Sequence, residues 1–380
     1  MTSSSTSAPA EDCCVRCQEI PTKGGYRLGV AKLNSERTLN ALSLDMIRLL
    51  DPQLRRWAED PSIAGVILHA AGEKAFCAGG DIRSLYKAIK EHSGPTALEF
   101  FAEEYRLDYL IHRYPKPLLV WASGIVLGGG WGLLAGASHR VVTETTRMAM
   151  PEITIGLFPD VGASWFLRQL PGHTGRFLAL TGVQINGSDA VLRGLADHLV
   201  RASDRDALFA ELSQLNWSDD ASANRKVLTE LLQKFACAAA QVAPASNLHR
   251  HAELIESSCR GESVTDAVNR IVSYDGDDAW MKRAVATLVA GSPTTAALSW
   301  ELQERTRDLD LANTLRLELI VALQCCARPD FIEGVRALLI DKDNKPRWQP
   351  STLAEVTPQW IESHFEAPEW PGARHPLASL

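Results

Sequence analysis

The sequence predicts an α/β core followed by a helical C-terminal region, and three observations carry that prediction. Two runs rich in branched apolar residues, 63–70 (IAGVILHA) and 117–125, each feed a loop containing glycine pairs, with a helix expected beyond each loop. Strands that deliver the chain into such loops typify α/β folds that build their sites there. After about residue 205 the strand-like runs stop and apolar residues recur at helical spacing. Finally, 380 residues that are 46% hydrophobic and 22% charged suffice for one large domain or two ordinary ones.

Taken in order, residues 26–34 (YRLGVAKLN) read as a strand. Ser43 starts a helix with Leu44, Ile47, Leu54 and Trp57 on one face and Pro52 as the residue able to break it. Residues 63–70 form a buried strand, 72–81 (GEKAFCAGGD) a loop, and a helix begins near Ile82. Residues 117–125 form a second buried strand, followed by a glycine loop and a helix, and 140–144 and 146–150 read as two short strands. Helices are expected over 208–216, 226–242, 249–257, 278–291 and 294–324. The expected organisation is a disordered leader over 1–18, a core over 19–205 and a helical region over 206–380, with no repeat of fixed period.

Composition removes several function classes. Net charge is −7, which lacks the basic footprint of a nucleic-acid binder. Eight scattered cysteines are too few for a disulfide scaffold in a chain this long. The C-x-x-C at Cys14 and Cys17 has no second pair and reads as a surface segment, and without HExxH no metal site is expected. Residues 117–137 hold no charge over 21 positions, a length that could span a bilayer, yet six are glycine. A buried strand, turn and helix are expected there, and no membrane. The N-terminal residues fit neither a secretory signal nor a transit peptide, so a cytoplasmic location is expected.

The chemistry concentrates in three places. Residues 128–132 (GGGWG) open an apolar helix; Gly130-x-Gly132-x-x-Ala135 matches the dinucleotide fingerprint formally, but the ribose-binding acid would fall near Glu152, inside another motif. Such a loop can instead present bare N–H groups at a helix N-terminus. Residues 77–81 (CAGGD) form a second loop of this kind, and two donors converging from separate loops make an oxyanion hole. The alternative is that both glycine sets only permit tight turns. Residues 148–167 (MAMPEITIGLFPDVGASWFL) carry just two charges, Glu152 and Asp160, and ionised groups in an apolar run are costly unless paired or used. Asp160 could simply cap a helix and Glu152 could be a solvated loop acid. With no G-x-S-x-G elbow and no histidine in these segments, acyl chemistry would run on carboxylates and backbone donors.

These segments resemble the crotonase, or enoyl-CoA hydratase/isomerase, superfamily. AFCAGGDI (75–82), VLGGGWGL (126–133) and MPEITIGLFPDVG (150–162) stand in its order and spacing. NAL (40–42), FLALTG (177–182), GLADHLV (194–200), FIEGVRALLIDKD (331–343) and KPRWQP (345–350) extend the resemblance over roughly residues 20–365. It implies a spiral of ββα turns, an acyl-CoA substrate and an oxyanion hole made by the N–H groups of Gly80 and Gly129. Ala78, Gly79 and Asp81 would lie along CoA, Lys342 would meet a CoA phosphate, and no cofactor beyond the substrate's own CoA is implied. Glu152 and Asp160 together, with GLFPDVG and DKDNKPRWQP, point to the family's hydrolase branch and make this pair catalytic. A hydratase would hold water between two glutamates, and its second glutamate would fall at Gly132, which has no side chain. Two departures, Ala163-Ser164-Trp165 for a glycine-rich stretch containing tyrosine and Ser35-Glu36 for Arg-Pro, bear on the acyl pocket and on CoA contacts. The implied activity is thioester hydrolysis; hydratase or isomerase chemistry and a non-catalytic assembly subunit stand as alternatives, and a homo-oligomer is allowed.

Overall fold

The structure, a computed structural model, describes residues 13–94, 96–261 and 263–380. β1 (Val15–Pro21) and β2 (Arg27–Leu33) form an antiparallel pair. The leader expected over 1–18 therefore ends too late: Cys14 and Cys17 flank the start of a sheet strand, and residues 1–12 lie outside the described part. The strand escapes notice because it is an edge whose residues after Val15 are half-buried or exposed, so it lacks a buried strand's apolar run. Burial pushes the half-buried Cys17 thiol up to about 11, so little thiolate is present at neutral pH.

α1 (Leu44–Glu59) starts where Ser43 accepts the Met46 N–H, and it runs through Pro52 without a break. An interior proline costs about 3 kcal/mol. Burial of Leu50, Leu54 and Trp57 around it returns about 1.5–3 kcal/mol each, which is enough to keep the helix.

The core is a spiral in which each turn contributes one strand to each of two sheets. β3 (Ile63–Ala70) leads to β4 (Ala75–Cys77), then α2 (Ile82–Glu91) and α3 (Ala97–His112). β5 (Leu118–Ala122) leads to β6 (Ile125–Leu127) and α4 (Gly129–Ala135); β7 (His139–Val142) leads to β8 (Arg147–Ala149) and a 3-10 turn, Glu152–Ile155. The strand expected over 117–125 is thus two strands in different sheets, divided at Ser123-Gly124. After α5 (Ala163–Phe166) and α6 (Thr174–Thr181) come β9 (Ile185–Asn186), α7 (Gly187–Leu192) and β10 (His198–Leu199). The large sheet runs β1-β2-β3-β5-β7-β10 and the small one β4-β6-β8-β9; the turns pair in parallel except at β8–β9, which is antiparallel.

Helices then wrap the spiral: α8 (Arg205–Leu212), α9 (Ala221–Ala239), α10 (Asn247–Arg250), α11 (Ala252–Cys259), α12 (Val264–Val272), α13 (Ala279–Ala290), α14 (Pro293–Arg305), α15 (Leu311–Cys326), α16 (Pro329–Val335) and, beyond a π turn at Arg336–Ile340, α17 (Pro358–Glu362). The helix expected over 294–324 is broken because Asp310 captures the Asn313 N–H and starts α15 afresh. Leu228 and Leu232 of α9 pack on the outer face of the large sheet with Leu28, Ile67 and Trp121. The other face belongs to one buried cluster that continues from Val15 to Leu377. The change near residue 205 is therefore one of secondary structure and not of core. No described helix is long and apolar enough to cross a membrane.

Candidate active site

Parallel order β4-β6-β8 sets the C-terminal ends of three strands side by side, and each delivers one component of the site. β4 leads into Gly79-Gly80, β6 into Gly128-Gly129, and β8 through Pro151 into Glu152. The first loop is pinned on its far side: Leu42 donates to the Gly79 carbonyl at 2.8 Å and accepts the Asp81 N–H at 2.9 Å. Asn40 anchors this segment through Nδ2 to the carbonyls of Ala71 and Ala75, both at 3.0 Å. That pinning leaves the Gly80 N–H free, and Gly129 is the first residue of α4, where N–H groups have no intrahelical partner. Among the described residues neither N–H meets an acceptor.

Close approach explains the glycines. A Cβ on Gly129 would overlap Oε1 of Glu104 and lie 3.5 Å from the Gly80 nitrogen, so the two loops touch. Gly128 has φ of +46°, and a Cβ there would meet Oε1 of Glu152 at 2.7 Å. A cavity of about 180 Å³ opens on Gly80, Gly129, Glu104, Glu152 and Asp160, with Phe100 and Leu339 on its apolar walls.

The acids are buried and mostly without counter-charge. Glu152 is 5% exposed and its Oε2 has no hydrogen-bond partner; burial first, then the neighbouring Asp160, holds its pKa well above the ordinary carboxylate range. Asp160 is 4% exposed and pushed up to about 6 by burial, against which the Tyr105 hydroxyl, donating to its Oδ2 at 2.7 Å, pulls down. The helix-cap alternative fails, because α5 has no side-chain cap and only the Asp160 carbonyl takes the Ala163 N–H. The solvated-loop alternative for Glu152 fails on burial.

Four further polar groups come from helices whose role no sequence motif announced. α3 supplies Glu104, Tyr105 and Asp108; burial raises both acids strongly, and neither oxygen of Asp108 has a partner. α15 supplies Glu318, pushed up to about 8 by burial, which accepts the Gly162 N–H at 2.7 Å and the Ser164 N–H at 3.0 Å. The signal for α3 was present as a capping box, Thr96 with Glu99, ahead of an apolar run. For Glu318 it was a single acid inside an apolar helix, the same criterion that singles out Glu152 and Asp160.

Of the residues expected from sequence, Ala78, Gly79, Gly80, Gly129, Glu152 and Asp160 line one cavity. Asp81 does not join them: it caps α2, accepting the Ser84 N–H at 3.2 Å and hydroxyl at 2.6 Å. Lys342 is exposed, with φ of +56°, just past the π turn whose Leu338 and Leu339 reach the cavity.

A spiral of ββα turns with this site defines the crotonase fold, and residues 28–365 match the sequence pattern of the enoyl-CoA hydratase/isomerase family, to which the chain belongs. Among individual proteins it is 39% identical to the mitochondrial 3-hydroxyisobutyryl-CoA hydrolase of Xenopus tropicalis over 346 residues, 90% of this chain and 87% of that one. Its human counterpart is 36% identical over 340 residues, 89% of this chain and 86% of the relative. Similar solved structures include an enoyl-CoA hydratase from Rhodobacter sphaeroides (TM-score 0.79, 31% identity, 92% of this chain and 97% of that one). A carnitinyl-CoA dehydratase from Mycobacterium thermoresistibile gives a TM-score of 0.79 at 34% identity, over 93% of this chain and 97% of that one.

Proposed function

We propose that the protein hydrolyses the thioester of a 3-hydroxyacyl-CoA, with 3-hydroxyisobutyryl-CoA as the first substrate to test. The observation that carries this reading is the meeting of two unpaired N–H groups, at Gly80 and Gly129, beside a buried carboxyl with a free oxygen, Glu152. The thioester oxygen accepts from both donors, and each is worth roughly 2.7–4 kcal/mol when that oxygen becomes an anion. Burial keeps the Glu152 carboxyl largely protonated at neutral pH and makes its minor, ionised form a correspondingly strong base. It takes the proton of the attacking water, or attacks the carbonyl carbon to give an anhydride that water then opens. Asp160, pushed up only to about 6, is the acid available as a carboxylate at neutral pH. It orients the water or the substrate hydroxyl, accepts the proton that Glu152 has taken from water, and passes it to the sulfur of the departing thiolate, which leaves as the free thiol. The relatives named as hydrolases support this assignment.

A second reading, hydration of an enoyl-CoA, is favoured by Glu104. Gly132 has no side chain, but Glu104 brings a second glutamate to the cavity from α3. One assay decides. Purified protein is given a panel of acyl-CoA esters that includes 3-hydroxyisobutyryl-CoA and an enoyl-CoA, while free thiol and enoyl absorbance are followed together. Thiol release from the hydroxyacyl esters is expected; loss of enoyl absorbance without thiol would transfer the assignment to hydration. The cytoplasmic location expected from N-terminal composition stays a separate proposal, since the vertebrate relatives are mitochondrial by name, and fractionation of cells making the full chain tests it.

A further inference from the structure

The turn that carries Asp160 is held by two residues to which the chemistry above gives no task. Val161 has φ of +54°, a left-handed conformation that is an outlier for a β-branched residue and persists only where its surroundings enforce it. Glu318 of α15, fully buried, enforces it by accepting the N–H groups of Gly162 and Ser164 with its two oxygens. Tyr105 of α3, also fully buried, donates its hydroxyl proton to Oδ2 of Asp160.

The titratable groups around Asp160 are all acidic. Glu104, Asp108 and Tyr105 of α3, Glu152 of the 3-10 turn, and Glu318, Cys325 and Cys326 of α15 all feel its charge. Among the described residues no cation joins them. A hydrogen bond donated to a carboxylate favours its charged form, and of the carboxyls lining the cavity only Asp160 has a side-chain donor among the described residues, whereas Glu318, off the cavity, spends its oxygens on two backbone N–H groups. Glu152 and Asp108 have oxygens with no donor, whereas Asp160 has the Tyr105 hydroxyl.

We propose that Tyr105 and Glu318 are positioning residues for Asp160: Tyr105 makes Asp160 the standing carboxylate among the acids that line the cavity, and Glu318 clamps the strained turn that presents it there. This rests on the reading in which Asp160 accepts a proton during thioester hydrolysis, and the experiment separates the two.

Tyr105→Phe keeps the ring and removes the donor. Asp160 then ionises less readily, so the lower inflection on the acidic limb of the kcat profile, near pH 6, moves to higher pH by about one unit, equivalent to about tenfold in kcat below it. KM should be unchanged. Because Tyr105 acts through Asp160, the double variant Tyr105→Phe/Asp160→Asn should be no slower than Asp160→Asn alone. A fully active Asp160→Asn enzyme would overturn the proton-accepting role itself. An inactive Asp160→Asn enzyme, alongside a Tyr105→Phe enzyme with wild-type kcat and pH profile, would overturn only the role of Tyr105. Glu318→Gln keeps a single acceptor for the two N–H groups and reports on the clamp whether or not Tyr105→Phe folds. A drop in kcat at constant KM is expected, and wild-type kcat in a folded Glu318→Gln enzyme would overturn it.

Discussion

At the scale of single residues, Glu152 carries the heaviest prediction. Its Oε2 is buried without a partner, so its basicity comes chiefly from desolvation, to which the neighbouring Asp160 and Glu104 add. Glu152→Gln preserves shape and removes the titratable group. Its kcat should fall by about 10²-fold or more, while CoA affinity stays near wild type. Steady-state kinetics with calorimetry of CoA binding checks both halves, and wild-type turnover would remove Glu152 from the mechanism. The donors at Gly80 and Gly129 belong to the main chain, which side-chain substitution leaves in place, so the probe for them is a ligand. A CoA thioether has no carbonyl oxygen to offer, whereas a CoA adduct with a tetrahedral anionic oxygen can use both N–H groups. With about 2.7–4 kcal/mol at stake for each donor, the anionic mimic should bind at least a hundredfold more tightly. Equal affinities by calorimetry would mean that these glycines only make turns.

At the scale of elements, the site depends on how closely α4 approaches α3. Gly132 lies inside α4, where alanine would ordinarily add about 0.5–1 kcal/mol of helix stability. Here a Cβ would sit 2.8 Å from Oδ1 of Asp108 and 2.8 Å from Cβ of Val161, both on buried backbone segments with little room to yield. Crowding wins over propensity, and Gly132→Ala should destabilise by about 1–3 kcal/mol in urea denaturation. A stabilised variant would show that α3 and α4 can separate without cost. The same approach allows α3 to place its own acids where the glycine loop has none.

At the scale of the whole molecule, the buried ionisable groups set the pH dependence of stability. Glu104, Asp108 and Glu152 have folded-state pKa values well above their unfolded ones, and Glu318 is pushed up to about 8. For an acid raised in this way the native state holds more protons than the unfolded state. Stability is then greatest below the unfolded pKa and is lost as pH rises towards the folded value, by about 1.4 kcal/mol per pH unit for each group. Four buried or half-buried histidines work in the opposite sense. His69, His112, His139 and His364 are each pushed down to about 4, so the stability they contribute is lost as pH falls below 6.5. Between pH 7 and 8.5 these histidines are neutral in both states and the acids dominate. Unfolding free energy should therefore decline across that window, and Asp108→Asn, which removes the acid with two orphaned oxygens, should flatten the slope by about 1.4 kcal/mol per unit. A stability that rises from pH 7 to 8.5 would contradict the protonated state of this cluster.

What the sequence determined by itself is everything written in local pattern. The strand at Ile63–Ala70 is read from its branched apolar run, and α1 from Ser43 and its apolar face. Two glycine loops and two acids in an apolar stretch were legible as donors and carboxyls, because glycine pairs and lone charges stand out against their neighbours. The tertiary structure decided what depends on through-space neighbours. β1 looked like leader because an edge strand need not be apolar, and residues 117–125 looked like one strand because nothing local says that a chain changes sheets at Ser123-Gly124. Asp81, which the family resemblance sets along CoA, is seen only in the structure to cap α2. Tyr105, 55 positions from Asp160, and Glu318, 156 positions from Gly162, reach the site only because helices from different parts of the chain pack on one turn. Hydrogen bonds over such separations leave no local trace, since the pairing is made by the packing of the core and not by the residues on either side.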